Sequence, residues 1–212
     1  MRRDKTIELF HYWNRLRNGR PAPERTEIEP ADIKTLLADT FILERDSRSK
    51  PVFRLAGTQI CAIFARELKG FAFDSLWSDR DASMARKLAE DTFGNNSVIV
   101  ITFEGRSASD RNLEFELILL PLVGGQDNQR ALGAIVPSKR PFWLGVDAIE
   151  TCFITSVRIV DPEREPMFLK NRPAVPVPPM AGLDSLQPGN SGPAESMRRV
   201  QHLVVLNGGR SD

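Results

Sequence analysis

Apolar and polar residues alternate along Thr40–Ala56, and a period of two marks half-buried strands. Phe41, Leu43, Phe53 and Leu55 fall on the apolar positions, and Asp46–Pro51, with its charges, serines and proline, is the turn between two strands. Gly57 breaks the second strand. Thr58 then supplies a cap for a short helix whose apolar positions are Ile60, Cys61, Ile63 and Phe64, and Gly70 stops the next segment. Over Asp81–Phe93 the period becomes helical, with Met84, Leu88 and Phe93 expected inward and Arg86, Lys87, Glu90 and Asp91 outward. After the stop signal Gly94-Asn95-Asn96 the alternation returns. Ser97–Glu104 carries Val98, Val100 and Thr102 on one face and Ile99, Ile101 and Phe103 on the other. Asn112–Leu122 carries Leu113, Phe115, Leu117 and Leu119 on one face; its other face starts polar at Glu114 and Glu116 and turns apolar at Ile118 and Leu120. Pro121 argues against a helix here. A hairpin turn at 124–128 leads to a last strand, Arg130–Val136. Ala148–Val160 also alternates and reads as a strand continuation.

These elements predict an α+β domain: a five-stranded antiparallel sheet with short helices on one face. The opposite face needs cover at Ile118 and Leu120. The cover expected is an amphipathic N-terminal helix over residues 5–18, whose apolar stripe is Leu9, Phe10, Trp13 and Leu16. Gly19, Pro21 and Pro23 end it. That stripe packs on its own sheet, builds a dimer or partner interface, or does both. A second short helix is expected within 24–38, with Pro30 in its first turn and Ile33, Leu36 and Leu37 on its apolar face.

Composition changes sharply from Arg172. Six prolines between Pro173 and Pro193, with glycines and serines, predict a flexible, disordered C-terminal tail. It contains one apolar island, VQHLVVL at 200–206, which either stays without fixed structure or adds to a sheet edge or a partner. Across all 212 residues, 29 basic side chains face 28 acidic ones, so no global field draws the chain to DNA or to an anionic membrane. Nothing approaches 18 consecutive apolar residues, so no membrane span is expected. Two cysteines, Cys61 and Cys152, stand far apart in apolar settings and read as reduced core thiols. The expected location is the cytoplasm.

Several stretches are specific enough to point to a family. Tyr12-Trp13, Gly19-Arg20, Pro23, Arg25, Ile28, Pro30 and Leu36-Leu37 precede the first strand; Phe53-Arg-Leu-Ala-Gly-Thr58 and Leu119-Leu-Pro-Leu122 follow. Over roughly residues 10–141 the chain resembles a family of bacterial proteins with a single PAS domain and little else. The strand pair running straight into short helices at Thr40–Trp77 resembles the opening of a PAS domain. The resemblance implies a stand-alone regulator of the cell-cycle and motility type, acting on signalling proteins of histidine-kinase pathways. The domain reading is a helical leader (1–39), a PAS-like domain (40–141), a C-terminal extension (142–171) and the tail (172–212).

Chemistry is sparse. No phosphate-binding glycine loop follows a strand. The two histidines, His11 and His202, lie near opposite ends, and neither has a partner at ligand spacing. The expected PAS domain holds no histidine, so the usual general base is missing from it. No catalytic residue, metal or cofactor is expected, and a flavin-binding cysteine or haem-ligating histidine motif is not seen. Glu114 and Glu116 read as solvated strand residues, with Arg54 as a partner. The expectation is a non-enzymatic regulator that dimerises or docks on signalling proteins. The alternative is a small-ligand receptor. An apolar ligand would sit among Phe53, Leu55, Ile60, Phe64, Phe71, Trp77, Leu88, Ile101, Phe115 and Leu117, which otherwise simply fill the core. A cyclic dinucleotide would be held by Arg20, Arg25 and Arg54, since guanidinium groups pair with phosphates and stack on bases.

Overall fold

The computed structural model describes residues 1–124 and 129–163. The hairpin tip at 125–128 and the proline-rich tail with its island at 200–206 lie outside them. Helix α1 spans Asp4–Arg17, α2 Thr58–Ile63 and α3 Asp79–Asn95. Strands β1 (Thr40–Arg45), β2 (Pro51–Ala56), β3 (Val98–Ser107), β4 (Asn112–Leu122), β5 (Arg130–Pro137) and β6 (Ile149–Val160) form one antiparallel sheet in the order β2-β1-β5-β4-β3-β6. The sheet therefore has six strands where five were expected. The sixth is the alternating stretch after Ala148, which pairs along the whole outer side of β3.

Both faces of the central strands β1, β5, β4 and β3 are largely buried, by different means. On one, Phe41, Leu43, Ile99, Ile101, Phe103, Phe115, Leu117 and Leu119 pack under α2, α3 and the turn Phe73–Leu76. On the other, Ile42, Val98, Val100, Ile118, Leu120, Leu132 and Ala134 meet Leu9, Phe10, Tyr12 and Trp13 of α1 and Ile28, Ile33 and Leu36 of the leader. The cover expected over Ile118 and Leu120 is thus α1. Trp13 fixes its seat by donating Nε1–H to the Pro121 carbonyl at 2.7 Å.

Four expectations need correction. The leader after α1 is not a second helix but three single 3-10 turns, at Arg25–Glu27, Pro30–Ile33 and Leu37–Asp39. Met84 is exposed; besides Phe93, which faces inward as expected, α3 buries Ala85, Ala89 and Thr92, because small residues let the helix lie close to the sheet. Leu55 does not share a face with Phe53. Ile42 opposes Leu55 and Leu43 opposes Phe53, so Arg54 is an extra residue in β2, and this bulge turns Leu55 to the leader's side. Finally, Glu116 is buried and does not meet Arg54. Its carboxylate accepts the backbone N–H groups of Arg2 (2.8 and 3.0 Å to its two oxygens) and Arg3 (3.1 Å), and it touches the Thr6 hydroxyl. It caps α1 from the middle of the sheet, where a negative charge suits a helix N-terminus.

Both outer edges are partly clasped. Phe53 N–H donates to the Phe71 carbonyl and Gly70 N–H to the Phe53 carbonyl, covering β2. Ser78 N–H donates to the Cys152 carbonyl and Ile154 N–H to Asp81 Oδ2, covering the first half of β6. Gly57 is demanded by the leader: a Cβ there would lie 2.3 Å from the Leu37 carbonyl oxygen and 2.4 Å from that of Ala38.

Candidate functional site

Between the sheet and its helices lies the interior where an apolar ligand was expected. It is lined ring to ring. Phe41 meets Phe53 at 5.4 Å between centroids, Phe53 meets Phe73 at 5.8 Å, Phe73 meets Trp77 at 5.8 Å, Trp77 meets Phe103 at 5.1 Å and Phe103 stacks on Phe115 at 5.1 Å. Phe41 also lies flat on Gly133, where a Cβ would be 2.2 Å from its ring. Of the expected lining, Phe53, Ile60, Phe64, Trp77, Ile101, Phe115 and Leu117 are buried in this cluster and Leu88 is at its margin. Leu55 and Phe71 are 49% and 44% exposed and stand outside it. The Trp77 indole Nε1 is buried there without a hydrogen-bond partner among the described residues.

The stripe of α1 is committed inward. Leu9, Phe10 and Trp13 are fully buried on the chain's own sheet, and Leu16 packs at the rim of the same cluster. In this conformation those side chains hold the leader in place and leave little for a partner.

The three arginines separate. Arg20 lies apart, with its guanidinium on both oxygens of Glu27 at 2.7 and 2.9 Å; that hydrogen bond holds the Glu27 carboxyl below the usual range. Arg25 and Arg54 meet at an open pocket of about 340 Å³, where Arg130, Lys69 and Glu44 join them with Val52, Phe53, Leu55 and Gly70. Glu44 is shared, 3.0 Å from Arg54 Nη1 and 3.5 Å from Arg130 Nε. Arg130 and Lys69 were not foreseen. Arg130 arrives because β5 pairs with β1 and sets it opposite Glu44, a partnership that no local pattern reveals.

A second exposed feature is the turn between β5 and β6. Phe142 is 91% exposed and Val146 86%. The turn is braced: Leu144 N–H donates to the Pro141 carbonyl at 3.1 Å, and Val146 and Asp147 N–H both donate to the Trp143 carbonyl at 2.9 Å. The Arg111 guanidinium lies over both Phe142 and Trp143. The cysteines offer no shared chemistry. Cys61 is half-buried in α2, while Cys152 is enclosed and burial pushes its thiol pKa far up, keeping it protonated.

One antiparallel sheet with short helices on one face, entered by a strand pair, is the arrangement expected from the resemblance. The family model described as PAS domain matches residues 1–136. The chain belongs to the PAS domain family. Within this PAS protein the match takes in the whole leader, so α1 and its turns belong to the matched unit, while β6 lies beyond it. A solved LOV protein from Rhodobacter sphaeroides is similar with a TM-score of 0.40 and 15% identity, over 54% of this chain and 71% of that one. Nothing among curated proteins matches. No helix among the described residues is long and apolar enough to cross a membrane, and no group of three or more His, Cys, Asp or Glu side chains among them is placed to hold a metal.

Proposed function

We propose that this PAS protein is a non-enzymatic regulatory module of the bacterial cytoplasm that works by protein–protein contact, dimerising or docking on signalling proteins such as those of histidine-kinase pathways. The observation that carries the reading is the turn at 141–147, where Phe142 and Val146 stand in solvent on a backbone held by its own hydrogen bonds. A rigid exposed aromatic loses little side-chain entropy on being covered, and such residues are frequent anchors of interfaces. The ring-to-ring filling of the interior supports it from the other side, since a well-packed aromatic lining is what a core needs for stability alone.

The test is to place a photo-crosslinking residue at 142 in the full chain, expressed in a bacterial host, and to repeat it with Val146→Ser. The expected result is one dominant adduct, to a second copy or to a single signalling protein, reduced by the Val146 change. A smear of unrelated adducts, or an adduct indifferent to Val146, would remove this turn as the contact.

A further inference from the structure

We propose that the pocket between β1, β2, β5 and the leader binds a phosphate-bearing small molecule of nucleotide type. The inference stands apart from the contact reading and uses none of its residues.

Four cations, Arg25, Arg54, Arg130 and Lys69, gather around one carboxylate, Glu44, in a pocket of about 340 Å³. The excess is three positive charges, four minus one, in a chain whose formal net charge is only +1. Like charges do not assemble without cost, so the arrangement is complementary to an anion. The hydrogen-bonding capacity there is also unfilled. Arg130 Nε is buried and pairs with the Glu44 carboxylate at 3.5 Å, too long for a full hydrogen bond. Among the described residues, neither the Arg25 guanidinium nor the Lys69 ammonium has a hydrogen-bonding or ion-pair partner. Cationic donors without a partner can each take an oxyanion through a charge-assisted hydrogen bond.

Glu44 does not defeat this. Held between Arg54 and Arg130, it fixes both guanidinium groups on rigid strands before any ligand arrives. The rest of the pocket suits a ligand with a nonpolar or planar body. The bulge at Arg54 turns Leu55 onto the same face as Val52, where the leader no longer covers the sheet, giving an apolar lip beside the cations. Bare phosphate would use only half of such a site; a nucleotide would use both halves, phosphates on the arginines and base on the lip. The volume falls in the range of small-ligand sites, about 300–1,000 Å³.

Calorimetric titration of the full chain with pyrophosphate, ADP and cyclic di-GMP tests this, using Arg25→Gln, Lys69→Gln and Arg20→Gln variants. Among the described residues Arg25 and Lys69 have no side-chain partner to lose, so their replacement is expected to leave the fold intact, which circular dichroism verifies. The expected result is saturable binding of at least one nucleotide, tighter than pyrophosphate, weakened about tenfold by Arg25→Gln and by Lys69→Gln and unchanged by Arg20→Gln. No saturable binding at millimolar ligand, binding that the Arg25 and Lys69 changes leave intact, or equal weakening by Arg20→Gln would each overturn it.

Discussion

Replacing Glu116 by Ala removes the carboxylate that holds the first turn of α1 to the middle of β4. Two backbone donors lose their partner, the N–H groups of Arg2 and Arg3, and the Thr6 hydroxyl loses one of two acceptors, keeping the Arg3 carbonyl at 2.9 Å. Hydrogen bonds to a charged group contribute about 1.5–3 kcal/mol each. Both amide contacts are part-buried, so the lower end applies, and a loss of about 3 kcal/mol is expected. Glu114, two residues earlier on the same strand, provides the control. Its ion pair with Arg3 is half exposed, and Glu114→Gln is expected to cost less than about 0.5 kcal/mol. Urea unfolding of both variants gives the two values from the midpoints, provided the slope is unchanged. Amide exchange across α1 locates the loss, which should appear as faster exchange in the helix ahead of the sheet. If Glu116→Ala costs no more than Glu114→Gln, or if α1 amides stay as protected as in the wild type, the cap does not hold the helix.

Two further predictions follow from the geometry. Gly57→Ala drives a Cβ into the Leu37 and Ala38 carbonyls, backbone atoms that cannot swing aside, and should cost about 3 kcal/mol; an unchanged melting temperature would contradict the close approach. Asp81 contributes a pH dependence. The hydrogen bond from the Arg80 guanidinium lowers its pKa, with the Ile154 N–H and the Ser78 hydroxyl adding to this against the effect of burial. A depressed carboxyl stabilises the fold above its unfolded value, about 3.9, and that contribution is lost as pH falls through the folded value. The stability gap between wild type and Asp81→Asn should therefore be constant from pH 7 to about 5 and close below about 4. Urea midpoints across that range measure it, and a gap as wide at pH 3 as at pH 7 would refute the assignment.

Much of the fold was legible because burial has a period. The alternation in β3 and β4 assigns Ile101, Phe115 and Leu117 to one face and Val100, Ile118 and Leu120 to the other, as the structure has them. The stripe of α1 called for a surface, and the unpaired face of β4 supplied one. What failed did so where a single position departs from the period. The bulge at Arg54 reverses Leu55, and a bulge leaves no mark in residue type. Glu116 looks like any exterior carboxylate until a helix end arrives over it. The pocket was half visible. Arg25 and Arg54 could be singled out as anion ligands, but Arg130 and Lys69 join them only through sheet pairing and the crossing of the loop past β2. The exposed pair Phe142 and Val146 fell in the stretch with the weakest pattern, where neither period runs long enough to place a side chain.

The attachment of α1 to Glu116 has a consequence during synthesis. The bonded groups are 110 to 114 residues apart in the chain, so the helix leaves the ribosome long before its anchor exists. At about 5–20 residues per second, that interval is on the order of 5–20 s. Throughout it, Leu9, Phe10 and Trp13 have no sheet to lie on, and an isolated helix of this length is marginal in water. Conditions that slow translation anywhere between α1 and β4 should therefore lower the yield of folded protein more than equal delays after β4.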